Sequence, residues 1–416
     1  MSSVIKHYIK PQRALKKTTM VDPSFFPGKY AFSPYMACEH ACKYCDGRAE
    51  KYYVEGDFEK DIVIRENLPV LIELELKKLR EKGIISIGSG ISDPYQPVEK
   101  EEKILQKCAG ILAGYKFPVS VMTKSSLILR DIDLWEEIHK KSGFILTVSL
   151  TFTDDHLRKI FEPHAGTVED RIKTLIEFKK RGMFTGILAM PFIPYISDMT
   201  ENVEKLADIA RDINVDFVMA GSLTLRQGKQ KDLFMNVIKE HFPGLSEKIK
   251  ELYKENRQSG SPLLSYRKNL HKSLNEIFIS RSIPVEMPHY VYKNLIPLYD
   301  EIYVLLHHMI NLYERKNINT RPLKESLKRY GEWLSKEKEL FNRKRKESYK
   351  NLEEKLISLI HFGEMEHIIK NEKLHNFIRE IVLERRTFDY MNLSTAPNKL
   401  VTNISSCCHP RKSGDP

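Results

Sequence analysis

Between residues 31 and about 221 the chain alternates short, mostly apolar runs with longer stretches in which apolar residues return every three or four positions. The apolar runs predict strands over 31–36, 84–88, 119–122, 144–150, 185–190 and 217–221. The longer periodicity predicts helices over 68–82, 100–113, 168–181 and 200–212. Strands that are apolar on both faces and separated by amphipathic helices imply parallel β/α units with the sheet covered on both sides. The expected fold is therefore α/β, a partial (β/α)6 TIM-like barrel that leaves a lateral opening for a large substrate. Barrels of this kind carry their sites at the C-terminal ends of the strands.

The flanking regions differ in character. Residues 1–30 read as irregular, because Pro11, Pro23 and Pro27 interrupt any long element. The barrel is expected over 31–240 and a mixed connecting region over 241–297, in which Ser259-Gly260-Ser261-Pro262 reads as a turn. A mainly helical, basic region follows over 298–392, with helical periodicity at 299–314, 322–346 and 348–361. The Ser-, Thr- and Asn-containing tail, 393–416, reads as disordered.

Composition narrows the function classes. With 416 residues, 41% of them hydrophobic and 30% charged, the chain can bury a large core and remain well solvated. No apolar run is long enough to span a bilayer, and the start has no apolar signal-peptide core, so a cytoplasmic protein without a membrane partner is expected. The charge is uneven. Residues 1–240 carry 36 Lys and Arg against 34 Asp and Glu, whereas 241–416 carry 31 against 22, so most of the net +11 lies in the second part. Its local peak is Arg343-Lys344-Arg345-Lys346. Such an excess attracts polyanions, chiefly DNA or RNA; a solvated helix face would produce the same pattern.

The candidate chemistry lies in the loop after the first strand. Cys38, Cys42 and Cys45 follow one another as C-x3-C-x2-C, and this loop holds half of the six cysteines. Thiols this close are metal ligands far more often than disulfide partners, because so short a loop would strain a bridge. Three thiolates can hold three irons of a [4Fe-4S] cube and leave the fourth open. The same thiols with His40 are an alternative set for structural zinc, although zinc sites usually add a second Cys or His pair, and none follows nearby. Cys108 falls inside an apolar pattern and reads as a small core residue.

Over its first 225 residues the chain resembles the spore photoproduct lyase-like branch of the radical S-adenosylmethionine (SAM) superfamily. The matching stretches are residues 33–45, Ser92-Asp93-Pro94-Tyr95-Gln96-Pro97, Val121-Met122-Thr123-Lys124-Ser125, Phe161-Glu162-Pro163 and Ala189-Met190-Pro191-Phe192-Ile193-Pro194. The resemblance implies that Cys38, Cys42 and Cys45 ligate a [4Fe-4S] cluster and that Tyr44 packs near the adenine of SAM. It implies that Ser92 and Asp93 meet the methionine amino group, that Lys124 pairs with the SAM carboxylate, and that Ser149 also contacts SAM. It further implies reductive cleavage of SAM to a 5′-deoxyadenosyl radical that takes hydrogen from a substrate, with electrons from a donor such as flavodoxin or ferredoxin.

One departure bears on the substrate. Spore photoproduct lyase carries a cysteine hydrogen donor shortly before the Ser-Asp segment, where this chain has Gly88-Ser89-Gly90-Ile91. Tyr95 is then a candidate radical relay, and Cys407-Cys408-His409 a candidate donor or extra ligand set. The substrate stays open between a nucleic-acid lesion and RNA, a peptide or a small metabolite. The reading from another class is a nucleic-acid-binding protein with a structural metal site.

Overall fold

The computed structural model describes residues 4–52, 54–88, 91–343 and 349–391. The chain divides into two units, Met1–Thr18 with Gly28–Val291, and Thr19–Pro27 with Tyr292–Pro416. The described strands are β1 (Ile5–Ile9), β2 (Lys16–Lys17), β3 (Gly28–Phe32), β4 (Tyr35–Met36), β5 (Asp61–Arg65), β6 (Ile84–Ile87), β7 (Val119–Thr123), β8 (Phe144–Ser149), β9 (Phe184–Phe192) and β10 (Phe217–Ser222).

The main sheet has the order β10-β9-β8-β7-β6-β3-β2. Each neighbouring pair from β3 to β10 is parallel, and β2 lies antiparallel on β3 at the edge. The helices Leu68–Leu76, Ile104–Ala113, Ile132–Ser142, Val168–Lys180 and Thr200–Ile213 form the crossovers between successive parallel strands. Six parallel strands in sequential order, with no pairing of β10 to β2 or β3 among the described residues, make the partial (β/α)6 barrel expected from the sequence. All six residues of β8 are buried, as a strand covered on both faces requires. The core of this unit joins strand residues such as Ile85, Val121, Leu146 and Ile187 to helix residues such as Leu105, Trp135, Leu175 and Leu206.

Several boundaries differ from the sequence pattern, each for a local reason. The strand expected over 31–36 is split at Ser33-Pro34, because proline has no N–H for the ladder, and β4 joins a separate sheet, β1-β5-β4. The helix expected over 100–113 breaks at Lys103, at φ +53°. That break lets the buried Glu99 carboxylate accept hydrogen bonds from the Leu105 and Gln106 amides, at 2.9 and 3.1 Å. Residues 1–30, expected to be irregular, contain β1 and β2. Both are edge strands with little buried surface, so they carry no apolar alternation.

The second unit has its own core, built from the helices Leu298–Arg315, Arg321–Arg343, Tyr349–His361, Glu364–Ile369 and Glu372–Leu383, against which Met20 packs. Lys338 is buried, with Nζ 2.6 Å from Asp300 Oδ1 and 3.1 Å from the Thr19 carbonyl. Many cations of the long helix pair along its exposed face, as in Arg321–Glu325 and Arg343–Glu339. Of the basic peak, Lys344, Arg345 and Lys346 lie outside the described residues, as do Ser89, Gly90, the tail 393–416 and Cys407-Cys408-His409. Among the described residues no helix is long and apolar enough to cross a membrane.

Candidate functional site at the cysteine loop

β4 feeds directly into the cysteine loop. Ala37 and Ala41, the residues before Cys38 and Cys42, take φ of +62° and +56°. That left-handed conformation costs an L-residue roughly 1–2 kcal/mol, and alanine brings the smallest Cβ-bearing side chain to it. The loop is held there by hydrogen bonds from the segment after β6. Ser92 Oγ donates to the Ala37 carbonyl at 2.9 Å, and Gln96 Nε2 donates to the same oxygen at 3.1 Å. Gln96 Oε1 accepts from the Glu39 amide at 2.8 Å, and the Glu39 carboxylate accepts from the Val98 amide at 2.6 Å.

The second half of the loop is fastened from elsewhere. The Lys43 amide donates to the Phe161 carbonyl at 2.8 Å, Gln230 Nε2 to the Tyr44 carbonyl at 3.0 Å, and Arg48 Nε to the Cys42 carbonyl at 2.9 Å. Asp93 ties the ends of β6 and β7 together. Its carboxylate accepts from the Tyr95 amide, Thr123 Oγ1 and the Lys124 amide at 2.9, 2.7 and 2.7 Å. Beneath the loop runs a buried polar chain. The Tyr44 hydroxyl donates to Glu162, Arg171 donates to the other oxygen of Glu162, and Arg171 also reaches the Gly166 and Ser149 carbonyls at 2.9 Å each.

The electrostatics follow from burial among few, opposed charges. Burial pushes all three thiols up, Cys42 to about 12 and Cys38 well above its ordinary value. Bare thiols here would stay protonated at neutral pH, and binding a cationic metal group is what favours their thiolate form. Burial also disfavours the charge on Lys124, but Cys42 and Glu162 beside it more than offset that and hold its pKa above the ordinary lysine value. Among the described residues Lys124 Nζ makes no hydrogen bond and no ion pair. Burial keeps the His40 pKa low; its Nδ1 lies 3.5 Å from Asp93 Oδ2.

The profile of the Radical SAM superfamily matches residues 32–222. An uncharacterized protein of Methanocaldococcus jannaschii is 33% identical over 187 residues, which span 44% of this chain and 69% of that protein. An uncharacterized protein of Mycobacterium tuberculosis is 26% identical over 253 residues, 60% of this chain and 73% of that protein. The chain belongs to the radical SAM superfamily. Among solved structures, spore photoproduct lyase complexed with a dinucleoside spore photoproduct is similar, at 15% identity and a TM-score of 0.47, over 66% of this chain and 79% of that one.

A radical SAM enzyme needs a [4Fe-4S] cluster and SAM, and the donor set fits the cluster. Cys38, Cys42 and Cys45 lie on one loop with no disulfide between them, Cys38 and Cys42 buried and Cys45 partly exposed. Among the described residues no three of His, Cys, Asp or Glu close on a single metal ion. A cube takes each of its three thiolates on a different iron, so it does not ask them to converge.

Of the other residues expected here, Ser92 and Asp93 spend their polar atoms on the protein. Tyr44 turns its hydroxyl into the Glu162 bond. Ser149 ends β8 with its hydroxyl unbonded among the described residues. Tyr95, the candidate relay, lies in the core. Its hydroxyl is fully buried, donating to Asp131 at 3.0 Å and accepting from Trp135 Nε1 at 2.8 Å. Sequence reasoning missed the positioning roles of Gln96, Glu162 and Arg171. The matching stretches that hold Gln96 and Glu162 were the available hints, and nothing local marked Arg171.

Proposed function

We propose that Cys38, Cys42 and Cys45 hold a [4Fe-4S] cluster whose open iron takes SAM, and that the protein abstracts hydrogen from a substrate in the manner of the spore photoproduct lyase-like branch. The observation that carries this reading is the three-cysteine loop beside the Lys124 ammonium at the end of β7. That ammonium makes no hydrogen bond or ion pair among the described residues and lies close enough to Cys42 for their charges to act on one another. When bound, the cluster and SAM supply one-electron cleavage of SAM to a 5′-deoxyadenosyl radical. The chain's own residues do the rest. Ser92, Gln96 and Glu39 fix the loop backbone. Asp93 fixes the Lys124 backbone, and Lys124 offers a compact positive charge to the carboxylate of SAM. Ser149 offers a hydroxyl beside it. Burial of Cys38 and Cys42 keeps water from those two thiols.

The reading is tested by anaerobic SAM cleavage with reconstituted, dithionite-reduced protein. Wild type should form 5′-deoxyadenosine, and Cys38→Ala, Cys42→Ala and Cys45→Ala should not. Loaded wild type that forms none would sink the assignment of SAM chemistry to this site. The electron donor is taken to be a small electron-carrier protein such as flavodoxin or ferredoxin. For the substrate we favour a nucleic acid, on the positive charge concentrated in residues 241–416.

A further inference from the structure

The Tyr44–Glu162–Arg171 chain does more than the loop backbone requires. The backbone of residues 42–45 is already fastened by Arg48, by the Phe161 carbonyl and by Gln230. A side chain that only filled space beneath Tyr44 would need no charge, and burying one is costly unless it is paired. Glu162 and Arg171 are nonetheless each only 1% exposed and paired with one another. Their neighbours make the charge matter. The groups whose charges act on Cys42 are Lys124 and Arg171, both positive, and Glu162 and the Cys45 thiol, both negative when ionised. Glu162 is thus the carboxylate that offsets two cations at the edge of the thiol set. It reaches the loop through Tyr44, the residue just before the third cysteine.

We propose that Glu162, held by Arg171, is a positioning residue that both seats Tyr44 between Cys42 and Cys45 and sets the reduction potential of the iron–sulfur group held there. The proposal rests on the cluster reading above. Its physical basis is that a reduced cluster carries one more negative charge than an oxidised one. A neighbouring buried carboxylate disfavours that extra electron, and a neighbouring buried cation favours it. While Glu162 is ionised, the Glu162–Arg171 pair is neutral as a whole. Neutralising Glu162 would leave the Arg171 charge uncompensated beside Cys42.

The test compares wild type with Glu162→Gln, Glu162→Asp and Tyr44→Phe, all reconstituted anaerobically. Iron and sulfide content, the cluster reduction potential and the electron paramagnetic resonance of the reduced cluster are read for each. Glu162→Gln should shift the potential of the loaded fraction to more positive values. Glu162→Asp keeps the charge on a shorter arm, so its potential should stay near wild type while cluster content falls. Tyr44→Phe keeps the ion pair and loses the hydroxyl. It should lower cluster content and alter the resonance, with a smaller potential shift than Glu162→Gln. If the variants lose cluster content but the loaded fractions all keep the wild-type potential and resonance, the pair is merely structural and the proposal is overturned. Should Glu162→Gln not fold, the Asp and Phe variants still decide: a Glu162→Asp potential moved well away from wild type, or a Tyr44→Phe protein with wild-type cluster content and unaltered resonance, overturns it. Wild type that takes up no iron and sulfide overturns the cluster reading itself, and is thereby distinguished from failure of the clamp alone.

Discussion

At the residue scale, the site divides into what a short window of sequence can reveal and what it cannot. The three cysteines were legible because their chemistry depends on their own spacing, eight residues from Cys38 to Cys45. Glu162 lies 118 positions from the tyrosine it holds, and Gln96 lies 57 from the amide it accepts from. Such partners are chosen by folding, and polar residues one at a time look like solvated surface. Two predictions belong here. Gln96→Ala strips two hydrogen bonds from the loop and leaves the Glu39 amide without its acceptor. At ~1–3 kcal/mol for an unsatisfied buried group, this should lower the thermal unfolding midpoint and reduce iron content after reconstitution. Lys124→Met removes a cation that makes no bond in the protein itself, so stability should change little. SAM affinity should fall roughly 10- to 100-fold, the loss expected for one charge-assisted hydrogen bond, as read by equilibrium dialysis with the loaded protein. Unchanged affinity would exclude Lys124 from the SAM site.

At the scale of elements, the pairing of apolar runs and amphipathic stretches was enough to read the alternation of strand and helix, and with it the α/β class. What it missed were breaks imposed by tertiary partners, as at Lys103, where a buried carboxylate takes the next helix's first amides. The junction between β7 and the helix Val168–Lys180 is the most constrained example at the site. A Cβ on Gly166 would sit 2.8 Å from the Lys124 carbonyl oxygen, so Gly166→Ala must push apart the strand end and the helix start. A cost of ~1–3 kcal/mol is expected, together with weaker SAM binding, since the same backbone carries Lys124. The Glu162–Arg171 pair spans this junction and gives it a pH signature. Burial opposes ionisation of Glu162, but Arg171 and Lys124 prevail and hold its carboxyl below its ordinary value of 4.5. Its contribution to stability is therefore complete above about pH 4.5 and is lost as the pH falls through the lowered value. Unfolding midpoints measured from pH 7 to pH 3 should show this acid limb in wild type and a shallower one in Glu162→Gln. Parallel curves would mean that the pair's charge does not contribute.

At the scale of the whole molecule, the sequence pattern separated an α/β half from a helical half, but nothing in it indicated that Thr19–Pro27 belongs to the helical unit. Helix and strand periodicity describes neighbours along the chain, and this segment is defined by partners some 285 to 319 positions away. His308 Nε2 lies 2.9 Å from the Pro23 carbonyl, and Lys338 Nζ lies 3.1 Å from the Thr19 carbonyl. Met20 packs with the helical core. The excursion is closed at its base because β2 and β3 pair, with the Thr18 amide donating to the Lys29 carbonyl at 3.1 Å. A chain ending at Val291 keeps every residue of the cysteine site yet leaves residues 19–27 without the helices that bury and bond them. That chain should load iron and sulfide but bind a hydrophobic dye and self-associate more than the full-length protein, because Met20, Phe25 and Phe26 lie in the orphaned segment. Replacing residues 19–27 in the shortened chain with a Gly/Ser segment of equal length should reverse the dye binding, since β2 and β3 already fix the ends of the loop. Dye binding that persists after the replacement would place the exposed apolar surface elsewhere, and loss of cluster content on truncation would mean that the thiol loop depends on the helical unit.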